Sequence, residues 1–365
     1  MTSLLMTGFP GFLGSALLPL ILARPERAGW RAVCLVQERY LEAAGERLEE
    51  IVAEHPAVAD RVELITGDIT AAGLGIDPDV RADLDDIAEV WHLAAVYDLA
   101  VPEEVARRVN VEGTRNVLAF CASLPEFNRL QYVSTCYVSG SHPGEYPEDD
   151  LDTGQAFRNH YESTKFEAEK LVREAMSAGL AATIYRPGIV VGDSQTGATQ
   201  KYDGPYFLAS FLRRQPPLAV VPAVGDADSV KVCLVPRDFV VAAMDQLSVM
   251  DVSIGKTYAL TDPNPPTARE LVDKFASHLG KKVVWVPLPL GPTRTLVDKV
   301  PGVEWLIGIP AEGLDYFASD TTYATANTTT DLAGTGVTCP AFDDYAPRLL
   351  DYMIAHPEFD SSAMI

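Results

Sequence analysis

This chain is short of basic charge. Its 365 residues include 29 Lys or Arg against 51 Asp or Glu, a formal net charge of −22. So acidic a surface disfavours nucleic acid and anionic membranes as partners, and weighs against an acidic carrier protein. Cysteine is sparse too. The five present, Cys34, Cys121, Cys136, Cys233 and Cys339, show no Cys-x-x-Cys spacing. That argues against a disulfide framework and a zinc site, so no metal is expected, and it suits a reducing cytoplasm. The apolar run from Phe12 to Ala23 is too short to span a bilayer and reads as a buried helix. Pro19 inside it predicts either a kink or a helix that tolerates the ring. No basic segment precedes that run, so a secretory signal is not expected. Internal repeats and low-complexity tracts are absent.

What is there points to a large α/β protein. Hydrophobic residues make up 47% and charged residues 22%, enough core for one large domain and a smaller one. The apolar run Ser3-Leu-Leu-Met6 leads directly into Thr7-Gly-Phe-Pro-Gly-Phe-Leu-Gly14. A strand that ends in closely spaced glycines and opens into a helix can cradle a dinucleotide. Glycine lets the backbone approach the pyrophosphate, and the helix start offers free N–H groups and a positive dipole end. The bland alternative is a tight strand-to-helix turn.

Strands and helices alternate from there. Strands are predicted at Leu4 to Met6, Ala32 to Val36, Val62 to Ile65, Glu89 to Leu93, Leu130 to Gly140 and Ala182 to Tyr185. Helices are predicted through Leu22, around Tyr40 to Glu54, from Glu103 to Ser123 and from Tyr161 onward. Repeated β-α units give a doubly wound parallel sheet of the Rossmann kind. Gly192 to Pro217 reads as a long loop and a helix over the site. Two further strand–helix pairs follow, Val230 to Leu247 and Tyr258 to Leu279. Pro287 to Tyr345 reads as irregular. The expected division is a cofactor-binding domain over residues 1–250 and a smaller substrate-binding region over 251–365, to which parts of 192–217 contribute.

Tyr161 and Lys165 lie four apart in a run of strong helix formers, so phenol and ammonium share one helix face. The alternative is a solvated face with a half-buried tyrosine. Ser134 and Thr135 sit on the strand before them, and alternation sends them to opposite sides. Thr135 is the choice for the site and Ser134 the fallback.

The glycine spacing 8, 11, 14 resembles the short-chain dehydrogenase/reductase superfamily, its extended branch in particular, and Tyr-x-x-x-Lys is that superfamily's pair. Further stretches look like the male-sterility group of fatty acyl reductases and thioester reductases: Gly67-Asp-Ile69, His92-Leu-Ala-Ala95, Asn110-Val-Glu-Gly-Thr-Arg-Asn116, Arg186 to Asp193, and Lys201-Tyr-Asp-Gly-Pro-Tyr206. The resemblance implies an extended fold with a C-terminal substrate-binding domain. It also implies roles. Gly8, Gly11, Phe12, Leu13 and Gly14 would contact the pyrophosphate, and Asp68 and Ile69 the adenine. Ala94 and Ala95 would lie along the nicotinamide ribose, and Pro187, Gly188, Ile189 and Val190 would meet the carboxamide. Asp68 has the alternative of a turn cap. His92 is read as a packed core histidine. Asn110 either supports a water near Lys165 or is a helix-surface amide, and is left out of the catalytic set.

At the tip of the second strand, Gln37 replaces the acid or arginine that sorts NAD from NADP. Arg39 could reach a 2′-phosphate, so NADP is favoured and NAD stays open. The expected chemistry is hydride transfer to a carbonyl carbon. Tyr161 donates the proton, Lys165 lowers the phenol pKa and binds the ribose, and Thr135 adds a second hydrogen bond to the oxygen. The expected substrate is an apolar carbonyl compound, most of all a fatty acyl thioester presented as the CoA ester. The aromatic run Tyr202, Tyr206, Phe207, Phe211 supports that, with core packing as its alternative. Ketone reduction of the 3β-hydroxysteroid or dihydroflavonol type, sugar-nucleotide epimerisation and a non-catalytic cofactor sensor are the competing readings. Oligomeric state is open, with a homodimer among the options.

Overall fold

The computed structural model describes residues 2–224, 226–288 and 319–359. Seven parallel strands form the central sheet, in the order β11-β7-β5-β4-β1-β2-β3. They are β1 (Ser3–Thr7), β2 (Arg31–Val36), β3 (Val62–Thr66), β4 (Ile87–His92), β5 (Arg129–Val133), β7 (Ala182–Pro187) and β11 (Thr257–Leu260). Most are buried along their length, as strands covered on both faces must be.

One face is covered by α1 (Phe12–Ala23), α2 (Leu41–Glu54) and α8 (Arg237–Ser248), whose Leu17, Leu18, Ile21, Phe239 and Met244 pack on Met6 and Trp91. The other carries α5 (Gly113–Ala122) and α6 (His160–Ser177), with Val117, Phe120, Ala168 and Val172 against Leu5, Val90 and Leu130. The short helices α3 (Pro78–Arg81) and α4 (Glu103–Ala106) lie in connections. Pro19 is tolerated, since α1 runs through it. The helix predicted from Glu103 to Ser123 exists but widens into one π turn, Arg107–Glu112.

The strand predicted from Leu130 to Gly140 is shorter than expected. It ends at Val133, and a 3-10 turn, Cys136–Ser139, follows. Thr135 starts that turn by accepting from the Tyr137 N–H at 3.2 Å, and Gly140 closes it at φ +51°. A local hydroxyl-to-backbone bond thus replaces the ladder.

A second core forms beyond the sheet. Helices α7 (Pro205–Arg214), α9 (Ala268–His278) and α11 (Phe342–Ala355) bury Leu208, Phe211, Leu271, Phe275, Tyr345 and Leu349 together. A parallel pair unseen in the sequence, β9 (Leu218–Val224) and β12 (Lys282–Leu288), flanks it. Two more small pairs join β6 (Glu145–Tyr146) to β13 (Thr322–Tyr323) and β8 (Ile189–Val191) to β10 (Leu234–Pro236). Much of the region predicted as irregular, Pro287 to Tyr345, lies outside the described residues. Its described part is more regular than expected: it holds β13, α10 (Ala326–Leu332) and the start of α11. The amphipathic period of α11 is visible in its buried Phe342, Tyr345, Ala346, Leu349, Leu350 and Met353. The edge strand β11 comes from beyond residue 250, so the chain returns to the sheet after building part of the second core. No helix among the described residues is long and apolar enough to cross a membrane.

Candidate active site

All the site residues expected from the sequence line one cleft of about 1570 Å³ at the carboxyl ends of the strands. Small-molecule pockets run to roughly 300–1,000 Å³, so this cleft has room for two ligands side by side.

The glycine turn makes one wall. Gly8 adopts φ +91°, and a Cβ there would stand 2.8 Å from the Ala94 N and 2.9 Å from the Leu93 carbonyl carbon. A Cβ on Gly11 or Gly14 would meet the Gly8 carbonyl oxygen at 2.7 or 2.8 Å. The three glycines therefore pack against one another and against the β4 end, and no other residue fits. No side chain caps α1 at Gly11. Its first N–H groups are left for a ligand, which fits an anionic pyrophosphate.

The loop after β4 is held from beneath by His92. Its Nδ1 lies 2.8 Å from Thr7 Oγ1 and its Nε2 3.1 Å from Thr114 Oγ1. Thr114 spends its own proton on the Asn110 carbonyl oxygen, and Thr7 Oγ1 accepts from the Ala94 N–H. The hydroxyl inventory thus assigns the ring the Nε2–H tautomer. Burial pushes the imidazole down to about 3, so it is neutral. His92 is a packed histidine that orients Ala94.

Asn110 is not the helix-surface amide of the second reading. It lies buried in the π turn, where its Nδ2 donates to the Val96 carbonyl and Thr164 Oγ1 and its Oδ1 accepts from the Val96 N–H. It clamps the loop after β4 to α6. Asp68 uses Oδ1 to cap the Thr70 N–H at 2.8 Å, and no protein donor reaches Oδ2 among the described residues. Arg39 is exposed, donates from Nε to Gln37 Oε1 at 2.9 Å and stacks on Tyr40. No ion pair engages it among the described residues.

The other wall is the corner of β5 and α6. The two adjacent hydroxyls separate as alternation requires. Ser134 Oγ donates to Glu169 Oε2 at 2.6 Å, while Thr135 lines the cleft with Tyr161 and acts on its phenol. Lys165, almost fully buried, donates to the Val133 carbonyl at 2.9 Å and the Tyr132 hydroxyl at 3.3 Å. Burial lowers Lys165 to about 8, and Glu169 opposes the fall. Burial raises the Tyr161 phenol to about 12, with the Thr135 hydrogen bond pulling the other way. The shift is upward where a lowering by Lys165 was expected, because desolvation dominates, and the phenol keeps its proton at neutral pH.

Of the aromatic run, only Phe207 lines the cleft, next to Leu208. Tyr202, Tyr206 and Phe211 are core, with the Tyr206 hydroxyl accepting from the Gly192 N–H at 3.0 Å. Tyr97, Arg108 and Lys231 also line the cleft and carried no signal in the sequence, and Lys201, the first residue of a stretch that did, lines it with them. The Lys201 ammonium sits 4.1 Å from the Tyr97 ring, joining loops from opposite sides. Glu169 was missed too, although its position one turn after Lys165 continues the Tyr161 face.

A family model described as male sterility protein matches residues 6–244. Isonitrile lipopeptide synthase from Streptomyces coeruleorubidus is 28% identical over 376 residues, covering 96% of this chain and 24% of that protein. L-2-aminoadipate reductase from Saccharomyces cerevisiae is 27% identical over 286 residues, 73% of this chain and 19% of that protein. The chain thus spans a quarter or less of these relatives. Among solved structures, the terminal R domain from the myxalamid PKS-NRPS biosynthetic pathway superposes with a TM-score of 0.82 at 28% identity. That match covers 98% of this chain and 91% of that one.

Proposed function

The chain belongs to the male sterility protein family and is an NAD(P)-dependent oxidoreductase on an extended short-chain dehydrogenase/reductase fold; on that premise we propose that it reduces an acyl thioester to an aldehyde through Thr135, Tyr161 and Lys165. The observation that carries the reading is that the Thr135 hydroxyl, the Tyr161 phenol and the Lys165 ammonium all line the same cleft as the glycine turn.

Gly8, Gly11, Phe12, Leu13 and Gly14 would hold the pyrophosphate, and Asp68 Oδ2 and Ile69 the adenine. Ala94, Ala95 and Lys165 would hold the nicotinamide ribose, and Pro187, Gly188, Ile189 and Val190 the carboxamide. NADP is assigned over NAD because Arg39 is uncommitted to any acid and no carboxylate occupies position 37. Residues 1–250 would bind the cofactor, with β11 joining them. The rest of 251–365, with residues 192–217, would bind the substrate.

The bound reduced nicotinamide supplies the hydride. Thr135 and Tyr161 hydrogen-bond the thioester oxygen, and Tyr161 gives it a proton as its negative charge develops. Lys165 keeps a positive charge near the phenol through that step. The product of this addition is a thiohemiacetal, which breaks its C–S bond, releasing the thiol with its proton and leaving the aldehyde.

The names of the relatives, a lipopeptide synthase and a terminal R domain of a PKS-NRPS pathway, support a carrier-borne thioester over the free CoA ester that net charge favoured. Arg108 and Lys231 form no ion pairs among the described residues, and they would offer an anionic arm local positive charge within the cleft. Phe207 and Leu208 would meet an apolar acyl chain.

The test is thiol release measured with a colorimetric reagent alongside NADPH loss, for acyl-CoAs and for acyl groups on a carrier protein. Thiol should appear in step with NADPH consumption, faster from the carrier. NADPH consumption with ketones or aldehydes but no thiol from any thioester would reassign the protein as a simple carbonyl reductase.

A further inference from the structure

Tyr161, Lys165 and Glu169 stand one turn apart on α6, and each meets a successive part of the β5 tip. Lys165 holds Tyr132 and Val133, Glu169 holds Ser134, and Tyr161 meets Thr135. Glu169 is fully buried. Besides Ser134, its carboxylate receives Arg186 Nε at 3.0 Å and Nη2 at 2.6 Å, and Arg173 Nε at 2.9 Å. Arg186 directly precedes Pro187 and Gly188 on the cleft wall. One carboxylate therefore ties α6 to the ends of two strands that carry site residues.

We propose that Glu169 is a positioning residue for the reaction: it fixes Ser134, and through it the aim of the Thr135 hydroxyl, and it is the countercharge of the Lys165 ammonium. The proposal rests on the roles given above to Thr135, Tyr161 and Lys165. Ser134 has little freedom once Glu169 holds its side chain and the Tyr185 carbonyl accepts its N–H at 2.7 Å. Thr135 is the next residue, so its rotation follows. Around Lys165, His92 is neutral, and the phenols of Tyr132 and Tyr161 stay protonated at neutral pH. Glu169 is the one carboxylate acting on Lys165 among the described residues. Arg173, Arg186, Tyr146, Tyr132 and Cys136 face Glu169 in turn, and the arginines keep it ionised.

The deciding variant is Glu169→Gln, which keeps the shape and removes the charge. Lysine side-chain NMR on the cofactor-free protein follows Lys165 directly. Its titration, near 8 in the wild type, should fall by about one pH unit. The alkaline limb of kcat, measured with NADPH and an acyl-CoA, should move down with it, because turnover needs the ammonium and is lost as pH rises through its pKa. A folded Glu169→Gln protein with Lys165 titrating as before overturns the proposal. Should that variant fail to fold, Ser134→Ala leaves the ion pairs intact. It should lower kcat by about tenfold or more while NADPH affinity holds, and wild-type kcat there overturns the proposal. Tyr161→Phe runs in parallel. If it keeps wild-type turnover, the catalytic assignment itself falls, and the proposal with it. If Tyr161→Phe is inactive while Lys165 is unmoved by Glu169→Gln, the Glu169 proposal alone fails.

Discussion

The two walls of the cleft are built by different means. The wall under the first strands is mostly backbone: three glycines packed on one another, an uncapped helix start, and a loop levelled by a neutral histidine. The opposite corner is side chains: a hydroxyl, a phenol, an ammonium and a carboxylate, all largely withdrawn from water and gathered around the end of β5 and the turn that follows it. Backbone recognition needs only that nothing intrude. Side-chain chemistry needs groups held in place and with shifted proton affinities, and burial does both.

That contrast can be broken one wall at a time. The largest effect belongs to Tyr161→Phe, which should cut kcat by roughly 10²–10⁴-fold while NADPH binding, read by fluorescence titration, stays within error. Equal loss of both would mean the walls are not separable. Gly8→Ala attacks the other wall. At φ +91°, with its Cβ 2.8 Å from a backbone nitrogen, an alanine is strained by about 1–2 kcal/mol before any clash is counted. Cofactor affinity should fall at least about tenfold, the ratio that 1.4 kcal/mol represents, for NADPH and NADH alike. The Lys165 titration should not move. Arg39→Ala has the smallest and most selective effect. A charge-assisted hydrogen bond is worth about 1.5–3 kcal/mol, so NADPH affinity should drop about tenfold or more and NADH affinity hardly change. An unchanged preference in that variant, by competitive titration, would move the assignment to NAD.

The same contrast explains what could be read in advance. Glycine spacing, the strand before it and the Tyr161/Lys165 interval are local, so the order of the first β-α units and the glycine turn were legible. Element ends were less so. The β5 strand stopped at Val133 because Thr135 bonded its own backbone, a choice that strand propensity does not register. Phe207 and Phe211 share an interval of four, yet one lines the cleft and the other is core, since the second core decides what covers each. The pair β9 and β12 joins segments about sixty residues apart, which no local pattern announces.

By itself the sequence determined the α/β class, the glycine cradle and the shared face of Tyr161 and Lys165, because each depends on residues close in the chain and on backbone geometry. Only the tertiary structure decided that Ser134 turns to Glu169 and Thr135 to Tyr161, that Asn110 clamps a loop, and that burial sets the phenol high and the ammonium low. Those outcomes depend on which distant side chains exclude water from the corner, and desolvation is a property of the packed molecule.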